Sequence, residues 1–142
     1  DNAQLIKAMQ ADGHEIGNHG YNHKLPTHIS SDETRKEIST TDTIITEITG
    51  TKPKLYAPPA GDFNKETLKT ARSLGYKTIM WSIDTIDWRD KDTEKIQNRV
   101  LKPGAFVLMH PTANTLEALK SMISQIKEQG YTFKTVSEML EI

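Results

Sequence analysis

Apolar residues in this chain recur at helical spacing in some stretches and cluster in short runs in others, with Gly, Pro or Asn between them. The helical spacing, together with capping residues, predicts helices over 1–13, 30–49, 64–74, 93–101 and 114–129, and a terminal helix from 135. The short runs predict strands over 14–18, 54–57, 76–83, 105–109 and 131–134. Strands and helices alternate, which is typical of a parallel α/β sheet, either open or closed as a barrel.

Three predicted helices carry a definite apolar face. The inward residues of the first are Leu5, Ile6 and Met9. Those of the second are Ile38, Thr41, Ile44, Ile45 and Ile48. Those of the long C-terminal helix are Leu116, Leu119, Met122, Ile123 and Ile126. Three pairs have capping-box spacing at helix starts: Ser30 with Glu33, Asn114 with Glu117, and Thr135 with Glu138.

Polar residues that could take part in catalysis or metal binding follow the predicted strands at their C-terminal ends. They are His19 and His23, the turn from Pro58 to Gly61, Asp84 with Asp87, and His110. In parallel α/β folds active sites form at that rim, so we expect these four segments to meet at one face.

His19 and His23 are four residues apart, a spacing that brings two imidazoles to one side of a short segment, where they could hold one face of a divalent ion. Gly17 and Gly20 beside them would allow the backbone to pass close to an ion or a substrate. The alternative is a pair of ordinary hydrogen-bonded loop histidines.

Two further segments permit both a chemical and a structural interpretation. Asp84 and Asp87 beside Trp88 form either a site wall or a set of loop caps. A carboxylate near an imidazole raises the pKa of that ring and fixes its tautomer, as a general acid requires. His110 therefore reads either as the acid that protonates a leaving amine or as a core histidine.

Composition narrows the class of protein. The 142 residues fit one domain, and 18 basic against 19 acidic residues give a net charge of −1, which does not favour nucleic acid or an anionic membrane surface. The absence of cysteine excludes disulfides and sulfur-ligated zinc. No apolar run is long enough to predict a membrane-spanning segment.

Four motifs, in order, resemble the polysaccharide deacetylase family, also called the NodB homology domain or carbohydrate esterase family four. They are Gly-His-Glu-Ile-Gly-Asn-His with a second His four residues on, Tyr-Ala-Pro-Pro-Ala-Gly from Tyr56, Asp-Thr-Ile-Asp-Trp from Asp84, and Leu-Met-His from Leu108. The resemblance covers nearly the whole chain and extends, in its details, to a branch found in spore-forming bacteria.

The resemblance implies an irregular (β/α) barrel that removes acetyl groups from N-acetylated sugars of a polysaccharide such as peptidoglycan or a chitin-like polymer. It implies one divalent ion, usually zinc, on His19 and His23, with His110 as the acid that protonates the leaving amine and Asp87 as its orienting partner. Leu108 would line the acetyl pocket, the Ala60 amide would help to hold the oxyanion, and Pro59 and Trp88 would contact the sugar. It also implies an extracytoplasmic or cell-wall location in a bacterium.

Two departures from the family pattern bear on activity. The first family motif, a strand ending in Asp-Asp that supplies the base and the third metal ligand, does not occur in these 142 residues. We therefore expect residues 1–142 to be an N-terminally incomplete domain, catalytically inactive by itself, with an exposed sheet edge that favours self-association. The second departure is that Ala57 and Ala60 stand where the family has Arg and Tyr.

Three hypotheses remain open on the sequence. The first is a metal-dependent deacetylase, which Asp87 and His110 favour. The second is a degenerate member of the family that binds cell-wall glycan without turnover, which Ala57 favours. The third is a plain zinc-binding or structural α/β domain.

Overall fold

The structure, a computed structural model, describes residues 2–97 and 102–142. The chain divides into two compact units, Asp1–Met80 and Trp81–Ile142. Within the described residues each unit contains one two-stranded parallel sheet and one small hydrophobic core.

The first unit holds three helices, α1 (Ala3–Ala11), α2 (Ser31–Thr49) and α3 (Lys65–Ser73). Strands β1 (Leu55–Tyr56) and β2 (Lys77–Thr78) pair in parallel, with Leu55 opposite Lys77. Its core is formed by four buried residues, Ile38, Tyr56, Ala71 and Tyr76.

The second unit holds β3 (Ile83–Asp84), α4 (Thr93–Gln97), β4 (Val107–Leu108), α5 (Ala113–Glu128) and α6 (Val136–Leu140). Strands β3 and β4 pair in parallel, with Asp84 opposite Leu108. Helices α4 and α5 pack against each other around a core of four buried residues, Ile96, Ala118, Met122 and Ile126.

Local capping chemistry explains where the helices begin and end. The Ser30 hydroxyl accepts the Glu33 amide at the start of α2, and Gly50 ends that helix with a left-handed φ of 70° that favours glycine. Full capping boxes open α3 at Asn64 and α6 at Thr135. At Ser30 the structure describes only the hydroxyl half of the box, and the Glu33 carboxylate accepts the Lys24 ammonium at 3.3 Å.

The helices confirm the sequence prediction, apart from the start of α5 and the extent of one segment. Thr112, not Asn114, caps α5, because its hydroxyl accepts the Thr115 amide. In the predicted helix over 93–101, α4 covers Thr93–Gln97, and residues 98–101 lie outside the described residues, as does residue 1 of the first predicted helix.

The strands are shorter than predicted, and two predictions are wrong. The stretch 14–18 makes one isolated bridge, from Asn18 to Tyr56, and 131–134 forms no strand in this described stretch. The predicted strand over 76–83 is instead two short strands, β2 and β3, that belong to different sheets. An apolar run shows that a segment can be buried, but it does not show which neighbour will pair with it.

The predicted apolar faces are correct in part. Ile38 and Ile45 are buried in α2, and Met122 and Ile126 are buried in α5. Five residues predicted to face inward are instead exposed: Leu5, Met9, Ile44, Leu116 and Ile123. None of the residues Ala3–Ala11 is buried. The described helices include none long and apolar enough to cross a lipid bilayer.

Candidate active site

The two histidines of the first unit lie on a loop that a buried asparagine anchors. Asn18 pairs with β1 through its backbone, donating to the Leu55 carbonyl at 2.8 Å and accepting the Ala57 amide at 3.0 Å. Its side chain is buried; it donates to the Ile38 carbonyl and accepts the Gly20 amide, each at 2.9 Å. The segment that begins at His19 is thereby fixed to both the sheet and α2.

Glu37 holds the residues between the two histidines. Its carboxylate, on α2 and 9% exposed, accepts the Tyr21 amide at 3.1 Å, the Asn22 amide at 2.6 Å and the Asn22 side-chain amide at 2.8 Å. Burial raises the pKa of this carboxyl, but the hydrogen bonds from Asn22 and Tyr21 outweigh it and leave the pKa below its ordinary value. Glu37 is therefore a charged clamp on the His19–His23 loop.

The two imidazole rings lie side by side at the surface. Their centroids are 5.1 Å apart and their planes meet at 67°. His19 Nδ1 lies 2.7 Å from the Ala57 carbonyl oxygen. A carbonyl oxygen only accepts, so Nδ1 carries the hydrogen, and Nε2 of the neutral ring carries the lone pair.

This arrangement fits part of a metal site. Metal-binding histidines commonly donate their second ring N–H to a backbone carbonyl, as His19 does to Ala57. Two imidazole nitrogens bound at about 2 Å to one tetrahedral ion would place the ring centroids about 5 Å apart. The described residues nevertheless contain no group of three His, Cys, Asp or Glu that could hold an ion. The histidines supply two ligands of the right type, and the third is not among the described side chains.

The turn after β1 lies beside this loop. Pro59 is buried, and a Cβ added to Gly20 would lie 3.5 Å from its ring. Ala60 is exposed and has a φ of 53°, a left-handed conformation that is rare for alanine. Asp62 fixes the end of the turn by accepting the amide and the hydroxyl of Thr27, each at 2.8 Å.

Gly17 has a structural use in the first unit, and its expected place beside an ion or a substrate stays a prediction. A Cβ on Gly17 would lie 3.3 Å from the Leu55 carbonyl oxygen. The small residue permits close approach of its backbone to that of β1.

In the second unit Asp87 and His110 are joined by direct hydrogen bonds. His110 Nδ1 lies 2.8 Å from Asp87 Oδ1, and the His110 amide donates to Oδ2 at 2.6 Å. The Asp87 side chain is fully buried, whereas that of His110 is 41% exposed. Burial raises the pKa of the Asp87 carboxyl, but the hydrogen bonds from His110 and Thr115 outweigh it and leave a lowered pKa. A charged Asp87 accepts the Nδ1 hydrogen, and Nε2 is the ring atom left to exchange a proton.

The other predicted site residues of this unit have distinct roles. Asp84 caps the loop, because its carboxylate accepts the Ile86 amide at 2.8 Å, and its place in a site wall stays a prediction. Trp88 is 60% exposed, with the Arg89 guanidinium 5.6 Å from its ring centroid. Leu108 is half-buried in β4, and its carbonyl accepts the Thr85 hydroxyl at 2.9 Å.

Within each unit the structure brings together residues that the sequence singled out: His19, His23 and the Pro58–Gly61 turn in one, Asp87 and His110 in the other. That all of them serve one reaction stays a prediction. The sequence reasoning missed three buried residues, Asn18, Glu37 and Thr115. The only signal for Glu37 in the sequence was that this charged residue immediately precedes Ile38, which lies on the inward face of α2.

Comparison with known proteins decides the family. Residues 1–79, more than half of the chain, match the sequence model of the family described as Polysaccharide deacetylase. The chain belongs to the polysaccharide deacetylase family.

Named relatives and solved structures of this family align with nearly all of the chain. It is 36% identical to the peptidoglycan-N-acetylmuramic acid deacetylase PdaA of Bacillus subtilis, over 99% of this chain and 56% of that protein. Its sequence is 41% identical to that of a CE4 family pseudoenzyme from Bacillus anthracis. The crystal structure of that protein matches with a TM-score of 0.92 over 98% of this chain and 50% of that one. A mutant of that pseudoenzyme, described as having restored enzymatic activity, gives 40% identity and the same TM-score over 98% of this chain and 52% of that one.

These likenesses confirm the α/β polysaccharide deacetylase fold. The chain spans about half the length of the first curated relatives that it matches. Family membership therefore gives the fold and the motifs, while activity and substrate depend on the residues present.

Proposed function

We propose that the protein to which this chain belongs removes N-acetyl groups from the sugars of a cell-wall polysaccharide, with peptidoglycan as the substrate. The observation that carries the proposal is the Asp87–His110 pair, in which a buried carboxylate holds one ring nitrogen of a half-exposed imidazole. That arrangement suits a general acid. PdaA, a 36% identical relative, is named as a deacetylase of peptidoglycan N-acetylmuramic acid.

In the proposed reaction water adds to the acetamide carbonyl, the C–N bond breaks, and acetate and a free amine leave. Protonated His110 gives its Nε2 proton to the departing nitrogen, and charged Asp87 stabilises the imidazolium before that transfer. The Ala60 amide would donate to the oxyanion, Leu108 would contact the acetyl methyl, and Pro59 and Trp88 would bind the sugar. No residue of the four motifs is assigned as the base.

A divalent ion, for which zinc is our proposal, would bind the Nε2 lone pair of His19 and a ring nitrogen of His23. When bound, such an ion polarises a carbonyl and lowers the pKa of a coordinated water. This chain contributes ring orientation, through the backbone carbonyl of Ala57, and loop position, through the side chain of Glu37. We further propose a cell-wall location outside the cytoplasm and a role in sporulation.

The test of the metal proposal is isothermal titration with zinc. We expect binding by the wild-type protein, loss of binding when His19→Ala and His23→Ala are combined, and unchanged binding in His28→Ala, a control histidine in another turn. Equal binding by the double variant would sink the proposed ligand pair.

The test of the activity proposal is acetate release from N-acetylated peptidoglycan by the natural full-length protein. We expect His110→Ala to reduce the rate by about 100-fold or more, the scale of general acid catalysis. Unchanged release by that variant would contradict the assigned role of His110.

A second candidate function is binding of cell-wall glycan without turnover. Ala57 favours it, since in the family pattern the residue there is an Arg that pairs with the base, and so does the likeness to a family pseudoenzyme. Peptidoglycan co-sedimentation without acetate release by the full-length protein would establish this candidate in place of the first.

A further inference from the structure

Two hydroxyl groups lie behind the Asp87 carboxylate, and the proposed reaction makes no use of them. Thr115, on the first turn of α5, is 2% exposed, and its Oγ1 donates to Asp87 Oδ2 at 2.6 Å. Thr112, the capping residue of the same helix, lies with its Oγ1 2.7 Å from Thr115 Oγ1.

Counting hydrogens fixes the direction of this pair of contacts. Thr115 has one hydroxyl hydrogen, and it goes to Asp87, because a charged carboxylate can only accept. The contact between the two threonines must then use the Thr112 hydrogen. Thr112 Oγ1 meanwhile accepts the Thr115 amide at 3.1 Å. The order of donation is Thr112 to Thr115 to Asp87.

The helix cap does not by itself require a hydroxyl at position 115. The cap uses the Thr112 oxygen and the Thr115 backbone amide, so valine or alanine at 115 would leave it intact. The Thr115 hydroxyl hydrogen goes to the Asp87 carboxylate. Because Oδ2 accepts both this hydroxyl and the His110 amide, the carboxylate cannot rotate, and Oδ1 stays opposite the His110 ring.

We propose that Thr115 is a positioning residue that, with Thr112 behind it, locks the Asp87 carboxylate so that His110 keeps its hydrogen on Nδ1 and presents Nε2. The value of this for deacetylation rests on the proposed function. The positioning itself concerns contacts inside the second unit and can be tested in a protein that has neither metal nor substrate.

The experiment is ¹⁵N NMR of the histidine rings during a pH titration of the full chain, comparing wild type with Thr115→Val and Thr115→Ser. Valine keeps the shape but removes the hydroxyl. Asp87 then has one donor fewer, and its carboxylate can rotate away from the His110 ring. We therefore expect the neutral ring to show a mixture of the Nδ1–H and Nε2–H tautomers, whereas in the wild type the hydrogen stays on Nδ1. Serine keeps the hydroxyl and should restore wild-type values.

The control separates positioning from stability. Ala118→Gly lies on the same helix at a fully buried position, so it should lower the melting temperature and leave the His110 tautomer unchanged. An unchanged His110 tautomer in Thr115→Val would overturn the proposal, as would an equal change in Ala118→Gly. If Thr115→Val does not fold, Thr112→Ala decides: a smaller shift of the tautomer population toward Nε2–H supports the proposal, and no shift overturns it. Neither outcome depends on acetate release, so failure here is distinct from failure of the proposed activity.

Discussion

Asp87 and Glu37 are buried carboxylates that each accept three hydrogen bonds, one carboxylate in each unit. Both have a pKa below the ordinary value, so both are charged at neutral pH. An anion so held orients its donors, and here the donors are His110 in one case and the His19–His23 loop in the other. At the scale of single residues, the two carboxylates set the geometry of the histidines.

Asp87→Asn tests the acceptor role. In either rotamer the asparagine NH₂ faces at least one N–H or O–H donor, which leaves buried hydrogen bonds unmade. We expect a loss of about 3 kcal/mol in the free energy of unfolding at pH 7, measured by urea denaturation. Asp12→Asn, at an exposed position after α1, should change it by less than about 0.5 kcal/mol. Equal stability of the two variants would show that Asp87 does not need its charge.

Glu37→Gln tests the clamp on the histidine loop. Glutamine keeps one acceptor oxygen, but its NH₂ must face a donor of Tyr21 or Asn22. We expect a loss of about 1–2 kcal/mol in the free energy of unfolding and faster hydrogen exchange at the Tyr21 and Asn22 amides, measured by NMR. Glu47→Gln, at an exposed position on the same helix, is the matched control, and its loop amides should exchange as in wild type.

The residues proposed to carry chemistry stand out in the sequence, and the residues that hold them in place do not. His19, His23, Asp87 and His110 stand out because their types and spacing are unusual. Thr115 and Glu37 have ordinary types on ordinary helices, and their partners are 28 and 15 or 16 residues away. Only the folded path of the chain shows those contacts.

At the scale of elements, the start of α5 provides a direct test of two competing caps. The sequence favoured Asn114 with Glu117, whereas the structure places Thr112 at the cap. We expect Thr112→Ala to lower the free energy of unfolding by about 1 kcal/mol. Asn114 is the second residue of α5, and we expect Asn114→Ala to be neutral or slightly stabilising. Urea denaturation measures both. The reverse order would restore Asn114 as the cap.

Helices were predictable because their signals are local: capping residues, a stop glycine and apolar spacing all lie within one segment. Strands were overpredicted because a ladder needs a partner at the correct register. The 76–83 run is continuous in sequence, yet Thr78 pairs with Tyr56 in the first unit and Ile83 with Val107 in the second. No property of the run itself indicates that division.

For the whole molecule, the groups whose pKa differs from its ordinary value predict how the free energy of unfolding depends on pH. Glu37 and Asp87 have folded pKa values below the ordinary 4.5 and 3.8, so their contribution is complete above those values and is lost as pH falls through the folded ones. Burial raises the pKa of Tyr56 and Tyr76 from 10.0 to about 12, so their contribution is complete below pH 10 and is lost between 10 and 12.

We therefore expect the unfolding free energy to fall below about pH 4 and above about pH 10, measured by urea denaturation across the pH range. Glu37→Gln and Asp87→Asn should each flatten the acid side, and Tyr56→Phe should flatten the alkaline side. An acid side unchanged in both carboxylate variants would contradict the lowered pKa values.

The fold class was predictable from the alternation of elements and from four motifs in order, and the family comparison confirmed it. Self-association stays a prediction; light scattering of the purified chain tests it, and a monodisperse monomer would contradict it.

The contact from the Ala57 carbonyl to His19 has an evolutionary consequence. Every amino acid brings a main-chain oxygen, so mutation of position 57 can delete a side chain without disturbing the ring that this oxygen aims. Loss of the side chain that the family pattern has at position 57 therefore leaves the orientation of the His19 ring unchanged. Two histidines at this spacing therefore do not by themselves distinguish an active member of the family from an inactive one. The residue at position 57 has to be considered together with them.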